Sequence, residues 1–318
     1  MRILLAIDGS ITSDRARALV AKLNLPAETD IRVIAVLDHV PPAGGIDWHA
    51  DLPGSTHGPE GQRAHLMTAL ETASQALETA GHAHVDSVLL HGEPAKAIID
   101  EARDFEADLV VVGHRGHGAV KSMFLGSTST AVLEHAPCPV LVVREPNLRN
   151  VLLAADGSES SRQATEAVAR WPIFNHLPIT VVSVADVGIP VTMEVQLGLY
   201  EQVLKSYIES AEIARAQTLE MATRAAQTLT EAGRDVTIDV RDGSPASAIV
   251  EAAVEHQGDL VVIGTRGHTG LARIALGGTA RSVMLHAPCS VLVVRGRVDA
   301  ATETASQAAP GQVAASRS

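Results

Sequence analysis

The 318-residue chain states one pattern twice. Residues 109–144, LVVVGHRGHGAVKSMFLGSTSTAVLEHAPCPVLVVR, and residues 260–295, LVVIGTRGHTGLARIALGGTARSVMLHAPCSVLVVR, match without a gap at 20 of 36 positions. Glycines recur at one spacing, Gly113, Gly116 and Gly126 in the first copy and Gly264, Gly267 and Gly277 in the second. The amino ends of the halves match as well: Ile3-Leu4-Leu5-Ala6-Ile7-Asp8-Gly9-Ser10 aligns with Val151-Leu152-Leu153-Ala154-Ala155-Asp156-Gly157-Ser158. Whatever fold one half adopts, the other must adopt too. The duplication predicts two similar domains, at 1–145 and 149–296, each long enough to bury its own core.

Short apolar runs rich in Val, Ile and Leu recur near 3–7, 31–37, 85–90, 109–112 and 140–143, and again near 151–155, 179–184, 236–240, 260–263 and 291–294. Helical patterns separate them, which predicts a mainly parallel sheet covered on both faces. One long helix is expected within 194–232, where proline is absent. Residues 38–61 instead hold Pro41-Pro42, Gly44-Gly45, Pro53-Gly54 and Gly58-Pro59, which predicts a long loop before a helix near 60–80. The linker of about six residues, 145–150, leaves little slack. The halves should therefore pack as a pseudo-dimer, with the final strand of each a candidate edge for pairing. Small and polar residues dominate 297–318, which is expected to be a disordered tail.

Composition narrows the function. A formal net charge of −12 without basic runs excludes a nucleic-acid partner, because a polyanion needs a basic surface to displace its counterions. No apolar run approaches the roughly 18–20 residues of a membrane span, so no membrane partner is expected. The apolar start of the chain stops at Asp8 with no cleavage signal after it, which predicts retention in the cytoplasm. Cys138 and Cys289 occupy the same place in the repeat and are expected to be matching buried thiols rather than partners in a disulfide. His82 and His84 alternate along one strand and offer a metal-site alternative, although no cysteine or carboxylate stands at ligand spacing. No nucleophile–base pair recurs in both halves, so no catalytic residue is assigned.

The glycines point to phosphate. Val112 and Ile263 each run from a strand into glycine, at the strand edge where open parallel sheets collect ligands. Gly113 and Gly116 would let backbone approach a ligand without a Cβ clash. Gly126, Ser127, Thr128 and Ser129 can open a helix whose amides and hydroxyls face an anion. The spacing is neither the GxGxxG of dinucleotide binders nor GxxxxGK[ST]. With few cations in the loop, chiefly Arg115 and Arg266, a triphosphate would need a divalent metal such as Mg2+. Asp8 and Asp156 are the natural carboxylates for that metal or for a ribose hydroxyl. Tight turns without a ligand remain the alternative.

The combination Val-x-Gly-x-Arg-Gly, nine residues, Gly-Ser-Thr, then His-Ala-Pro-Cys-Pro-Val-Leu-Val-Val resembles the ATP-binding subgroup of the universal stress protein family, in a tandem form covering both halves. The resemblance implies a doubly wound, five-stranded parallel α/β sheet of order 3-2-1-4-5 in each half, the adenine nucleotide alpha-hydrolase-like fold. It implies adenine held by the backbone of Val36 or Val184, with Ala6, Ile7 and Val112, or Ala154 and Ile263, at the same strand ends. Ribose and phosphate would meet Asp8, Gly113, Arg115 and Gly116, with Gly126, Ser127, Thr128 and Ser129 on the phosphates. The second half supplies Asp156, Gly264, Arg266, Gly267, Gly277, Gly278 and Thr279. The function implied is that of a nucleotide-dependent stress or dormancy regulator with an unknown protein partner, alone or as a homodimer. An ATPase, a cAMP-binding protein and a nucleotide-free scaffold are the alternatives.

The second half departs from the motif at two hydroxyls: Gly278 stands where the first half has Ser127, and Ala280 where it has Ser129. At about 0.5–1.5 kcal/mol for each lost hydrogen bond, the second site is expected to bind phosphate roughly five- to a hundredfold more weakly.

Overall fold

The computed structural model describes residues 1–38, 59–116, 125–186, 200–265 and 276–295. The loop expected at 38–61 and the tail expected beyond 296 therefore lie almost wholly outside the described residues.

The first half runs β1 (Arg2–Ala6), α1 (Ile11–Val20), β2 (Asp30–Leu37), α2 (Pro59–Thr79), β3 (His84–His91), α3 (Pro94–Asp104), β4 (Leu109–Gly113), α4 (Ser127–His135) and β5 (Val140–Val143). The second repeats it as β6 (Val151–Ala154), α5 (Glu159–Arg170), β7 (Pro178–Ala185), α6 (Tyr200–Glu231), β8 (Asp235–Asp242), α7 (Pro245–Glu255), β9 (Leu260–Gly264), α8 (Gly278–His286) and β10 (Ser290–Val294). All ten strands join one sheet in the order β3-β2-β1-β4-β5-β10-β9-β6-β7-β8. Within each half the order is 3-2-1-4-5 and every pairing is parallel, as the resemblance implied. The halves meet through an antiparallel pairing of β5 with β10, in which Leu141 faces Leu292.

The strands that form the sheet's centre are buried on both faces, because helices cover both. Every residue of β4, β5, β9 and β10 is buried, which is why these segments read as unbroken Val/Ile/Leu runs rather than as alternating patterns. One face packs against α1, α2, α5 and α6 through residues such as Leu19, Leu70, Val168 and Leu229. The other packs against α3, α4, α7 and α8 through Ile98, Val132, Ile249 and Val283. Both cores continue across the seam, with Leu141 and Leu292 in one and Val140, Val142, Val291 and Val293 in the other. Cys138 and Cys289 sit buried and unbridged in the second core. β3 and β8 form the outer edges and are only partly covered.

Candidate functional site

The strand order reverses between β1 and β4, so their following loops diverge to opposite faces and leave a crevice at the strands' carboxyl ends. β1 ends at Ala6, whose register partners are Ile34 and Val112. Ala6, Val36, Val112 and Leu125 belong to the core on the α3/α4 face and wall that side of the crevice. Ala154, Val184, Ile263 and Leu276 repeat the wall in the second half. Ile7 faces the other way: its side chain is 8% exposed and packs in the α1/α2 core, which leaves only its backbone beside the crevice.

The Asp8-Gly9-Ser10 turn is tied by its own side chains. Asp8 Oδ1 accepts from Ser10 N at 3.0 Å, and Ser10 Oγ caps α1 by accepting from Ser13 N at 3.2 Å. Asp156 and Ser158 repeat both bonds at 2.9 and 3.3 Å. Gly9 and Gly157 take φ of +75° and +76°, the left-handed region that favours glycine. The other oxygen, Asp8 Oδ2, faces Gly116 so closely that a Cβ there would lie 2.6 Å from it. A side chain at Gly116 would therefore push the Asp8 carboxylate aside.

Gly113 and Gly264 have a different reason. A Cβ on Gly113 would fall 2.8 Å from the Thr12 carbonyl carbon, and one on Gly264 2.6 Å from that of Ser160. The first turn of α1 or α5 lies directly on the end of the neighbouring strand. Thr12 Oγ1 donates to the Arg115 carbonyl, so the first turn of α1 is bonded to the loop that follows β4.

Gly126 N returns to His114 O at 2.9 Å, and Gly277 N to Thr265 O at 2.8 Å, closing the base of each glycine loop. α4 and α8 then begin on Gly126 and Gly277 with no side-chain cap and no acidic residue in the first turn. In α1, α3 and α5 Ser10, Glu93 and Ser158 cap the amides, while α7 resembles α4 and α8 in lacking a side-chain cap but opens on Pro245, which has no N–H to offer. An uncapped first turn presents its N–H groups and the positive end of the helix dipole to whatever stands in the crevice. Ser127 is exposed there and Thr128 half-buried, and Gly278 and Thr279 occupy the matching positions.

Ser129 is placed otherwise than the sequence suggested. It is 6% exposed, and its hydroxyl donates to Gly113 O at 2.7 Å, so it ties α4 to the end of β4 instead of facing an anion. The exchange of Ser129 for Ala280 therefore removes an internal tie, and only the exchange of Ser127 for Gly278 removes a hydroxyl from the crevice. Arg266 and Gly267 lie outside the described residues.

One site neighbour carried no sequence signal. His65 of α2 packs on Gly9, with Nε2 2.3 Å from where a Cβ would be, and Met221 of α6 packs on Gly157 in the same way. The two halves thus differ in the side chain packed on this glycine as well as in their hydroxyls. His114 lies at the loop base, with its pKa lowered by burial and then by the nearby charge of Arg144. Elsewhere, His84 opens β3, and no three His, Cys, Asp or Glu side chains converge as a metal site among the described residues. His135 and His286 close α4 and α8, each Nδ1 against the carbonyl four residues earlier. No helix among the described residues is long and apolar enough to cross a membrane.

Fold and crevices together define a tandem doubly wound α/β protein, with a glycine loop and an uncapped helix at the switch point of each half. The chain belongs to the universal stress protein family, whose model matches residues 1–144 and 147–295. A universal stress protein of Mycolicibacterium smegmatis is 30% identical over 314 residues, covering 93% of this chain and 97% of its own length. One from Thermus aquaticus is 41% identical over 143 residues, 45% of this chain and 97% of that protein. The crystal structure of a universal stress protein from Archaeoglobus fulgidus superposes with a TM-score of 0.62 at 20% identity, covering 92% of this chain and 96% of that one, a likeness of fold.

Proposed function

We propose that the two domains, 1–145 and 149–296, each bind an adenine nucleotide in the crevice, the first half preferring ATP, and that the protein acts as a nucleotide-dependent stress regulator rather than as a turnover enzyme. The observation that supports this most directly is the uncapped start of α4 beside Asp8 and Gly116 at the switch point. In this reading Ala6, Val36 and Val112 flank the base, and Asp8 accepts from a ribose hydroxyl. Gly113, Arg115 and Gly116 line the sugar and phosphates, and the amides of Ser127 and Thr128 with the Ser127 hydroxyl hold the terminal phosphates. Ala154, Asp156, Val184, Ile263, Gly264, Arg266, Gly267, Gly277, Gly278 and Thr279 take these parts in the second half.

Mg2+ fits such a site only together with the nucleotide. Asp8 offers a hard carboxylate oxygen, yet no protein cluster of three ligands exists among the described residues, so most donors would be phosphate oxygens and water. The ion would offset phosphate charge.

Calorimetry with ATP and Mg2+ on the whole chain, and on Asp8→Ala and Asp156→Ala variants, tests the reading. Two binding events, each removed or weakened at least tenfold by the aspartate change in its own half, are expected. Absence of heat and of any thermal stabilisation by ATP would refute it. Release of ADP well above background, abolished by Asp8→Ala, would establish an ATPase instead.

A further inference from the structure

Each half ends its last strand with an arginine, and each arginine crosses the seam. Arg295, directly after β10, donates Nη1 to Ala136 O at 2.8 Å and to Glu134 O at 3.2 Å, and Nη2 to Leu133 O. These are the last carbonyls of α4, a helix of the other half. Arg144, directly after β5, donates Nη2 to Met284 O at 2.7 Å in the last turn of α8. Its own backbone N–H reaches Ser290 Oγ at 3.1 Å, which fixes where that arginine leaves the strand. Arg281 of α8 and Glu134 of α4 form a further ion pair across the same boundary.

The last carbonyls of a helix have no partner within it, and they carry the negative end of its dipole. A guanidinium there satisfies them and favours negative charge at the opposite end. α4 and α8 have nine residues each, about 13 Å of rise, so the guanidinium stands one short helix length behind the uncapped amides at Ser127 or Gly278. Arg144 is withdrawn from solvent enough that burial lowers its pKa, and a cation so placed is screened less than one on the surface. The antiparallel pairing of β5 with β10 is what delivers each arginine to the wrong half's helix.

We propose that Arg295 is a positioning residue for the phosphate site of the first half and Arg144 for that of the second, so that each site is completed from the opposite half. This rests on the reading of α4 and α8 as phosphate-binding helices. Because Arg295 holds three carbonyls and Arg144 one, the first site depends more strongly on its arginine.

The test is a titration of the full-length protein by 15N NMR, with ATP and with adenosine. The Ser127 and Thr128 amides report the first site, and those of Gly278 and Thr279 the second. Arg295→Met is expected to weaken ATP at the first site roughly three- to tenfold, leaving the second site and the adenosine affinity of both unchanged. Arg144→Met should show the mirror result, smaller in size. Arg295→Lys, which retains the charge and fewer bonds, should lose about twofold, and it provides the same reading if the methionine variant does not fold. A loss in the half that carries the substitution, an equal loss for ATP and adenosine, or no loss would overturn the proposal. Wild-type protein that binds neither ligand would instead refute the nucleotide reading on which it rests.

Discussion

Gly278→Ser is the substitution that most directly probes how the two sites differ. A Cβ at Gly278 meets nothing within 4 Å, and its φ lies outside the left-handed range, so the added side chain displaces no atom and strains no backbone. Its counterpart Ser127 stands exposed at the first position of α4. The gain is therefore one hydroxyl donor to phosphate. Such a bond is worth about 0.5–1.5 kcal/mol when neutral and 1.5–3 kcal/mol to a charged group, and solvent exposure argues for the lower part, about 1 kcal/mol. That equals roughly a fivefold gain in ATP affinity at the second site. Ser127→Gly should cost the first site the same factor. Ala280→Ser is the matched control: at its counterpart the hydroxyl is committed to Gly113 O, so it should raise stability and leave affinity unchanged. Two-site calorimetry with ATP and Mg2+ on the three variants decides the matter. A second-site constant that stays within twofold in Gly278→Ser but rises in Ala280→Ser would refute the reasoning.

Gly113→Ala should destabilise the chain by about 1–3 kcal/mol, since its Cβ would fall 2.8 Å from main-chain atoms that cannot rotate away; scanning calorimetry should place it well below Gly126→Ala, whose nearest contact is 3.4 Å. Burial pushes the Cys289 thiol up to about 11, against 9.0 when unburied. Its raised folded pKa means that this contribution is intact below pH 9 and is lost as pH rises from 9 to 11, where only the unfolded thiol ionises. Urea melts in reductant should lose on the order of 3 kcal/mol over that window, and Cys289→Ala should flatten the loss.

Much of this architecture is written in local pattern. The central strands announce themselves as Val/Ile/Leu runs because both faces of a parallel sheet are buried there, and the seam follows from a short linker and two matching final strands. The long helix is observed as Tyr200–Glu231 within the stretch that lacks proline. Glycines mark the crevices for a legible reason too, since Gly113 and Gly116 stand where other loops press against them. What stayed hidden depends on contacts between distant segments. Nothing near Ser129 in sequence says that its hydroxyl turns inward to Gly113, sixteen residues earlier. His65 and Met221 lie on helices without a motif, and their place above Gly9 and Gly157 is a matter of helix packing. The reach of Arg295 to Leu133 spans 162 residues and two domains, and no periodicity encodes it.

The seam between β5 and β10 also changes what a mutation can do. Were the two halves separate identical chains paired edge to edge, any substitution would be present on both sides of the interface, and both crevices would gain or lose it together. Joined in one polypeptide, Ser127 and Gly278, or His65 and Met221, can differ while the shared sheet stays intact. Covalent linkage thus turns a symmetric assembly into one whose two crevices can be tuned separately while the stoichiometry between them stays fixed at one to one.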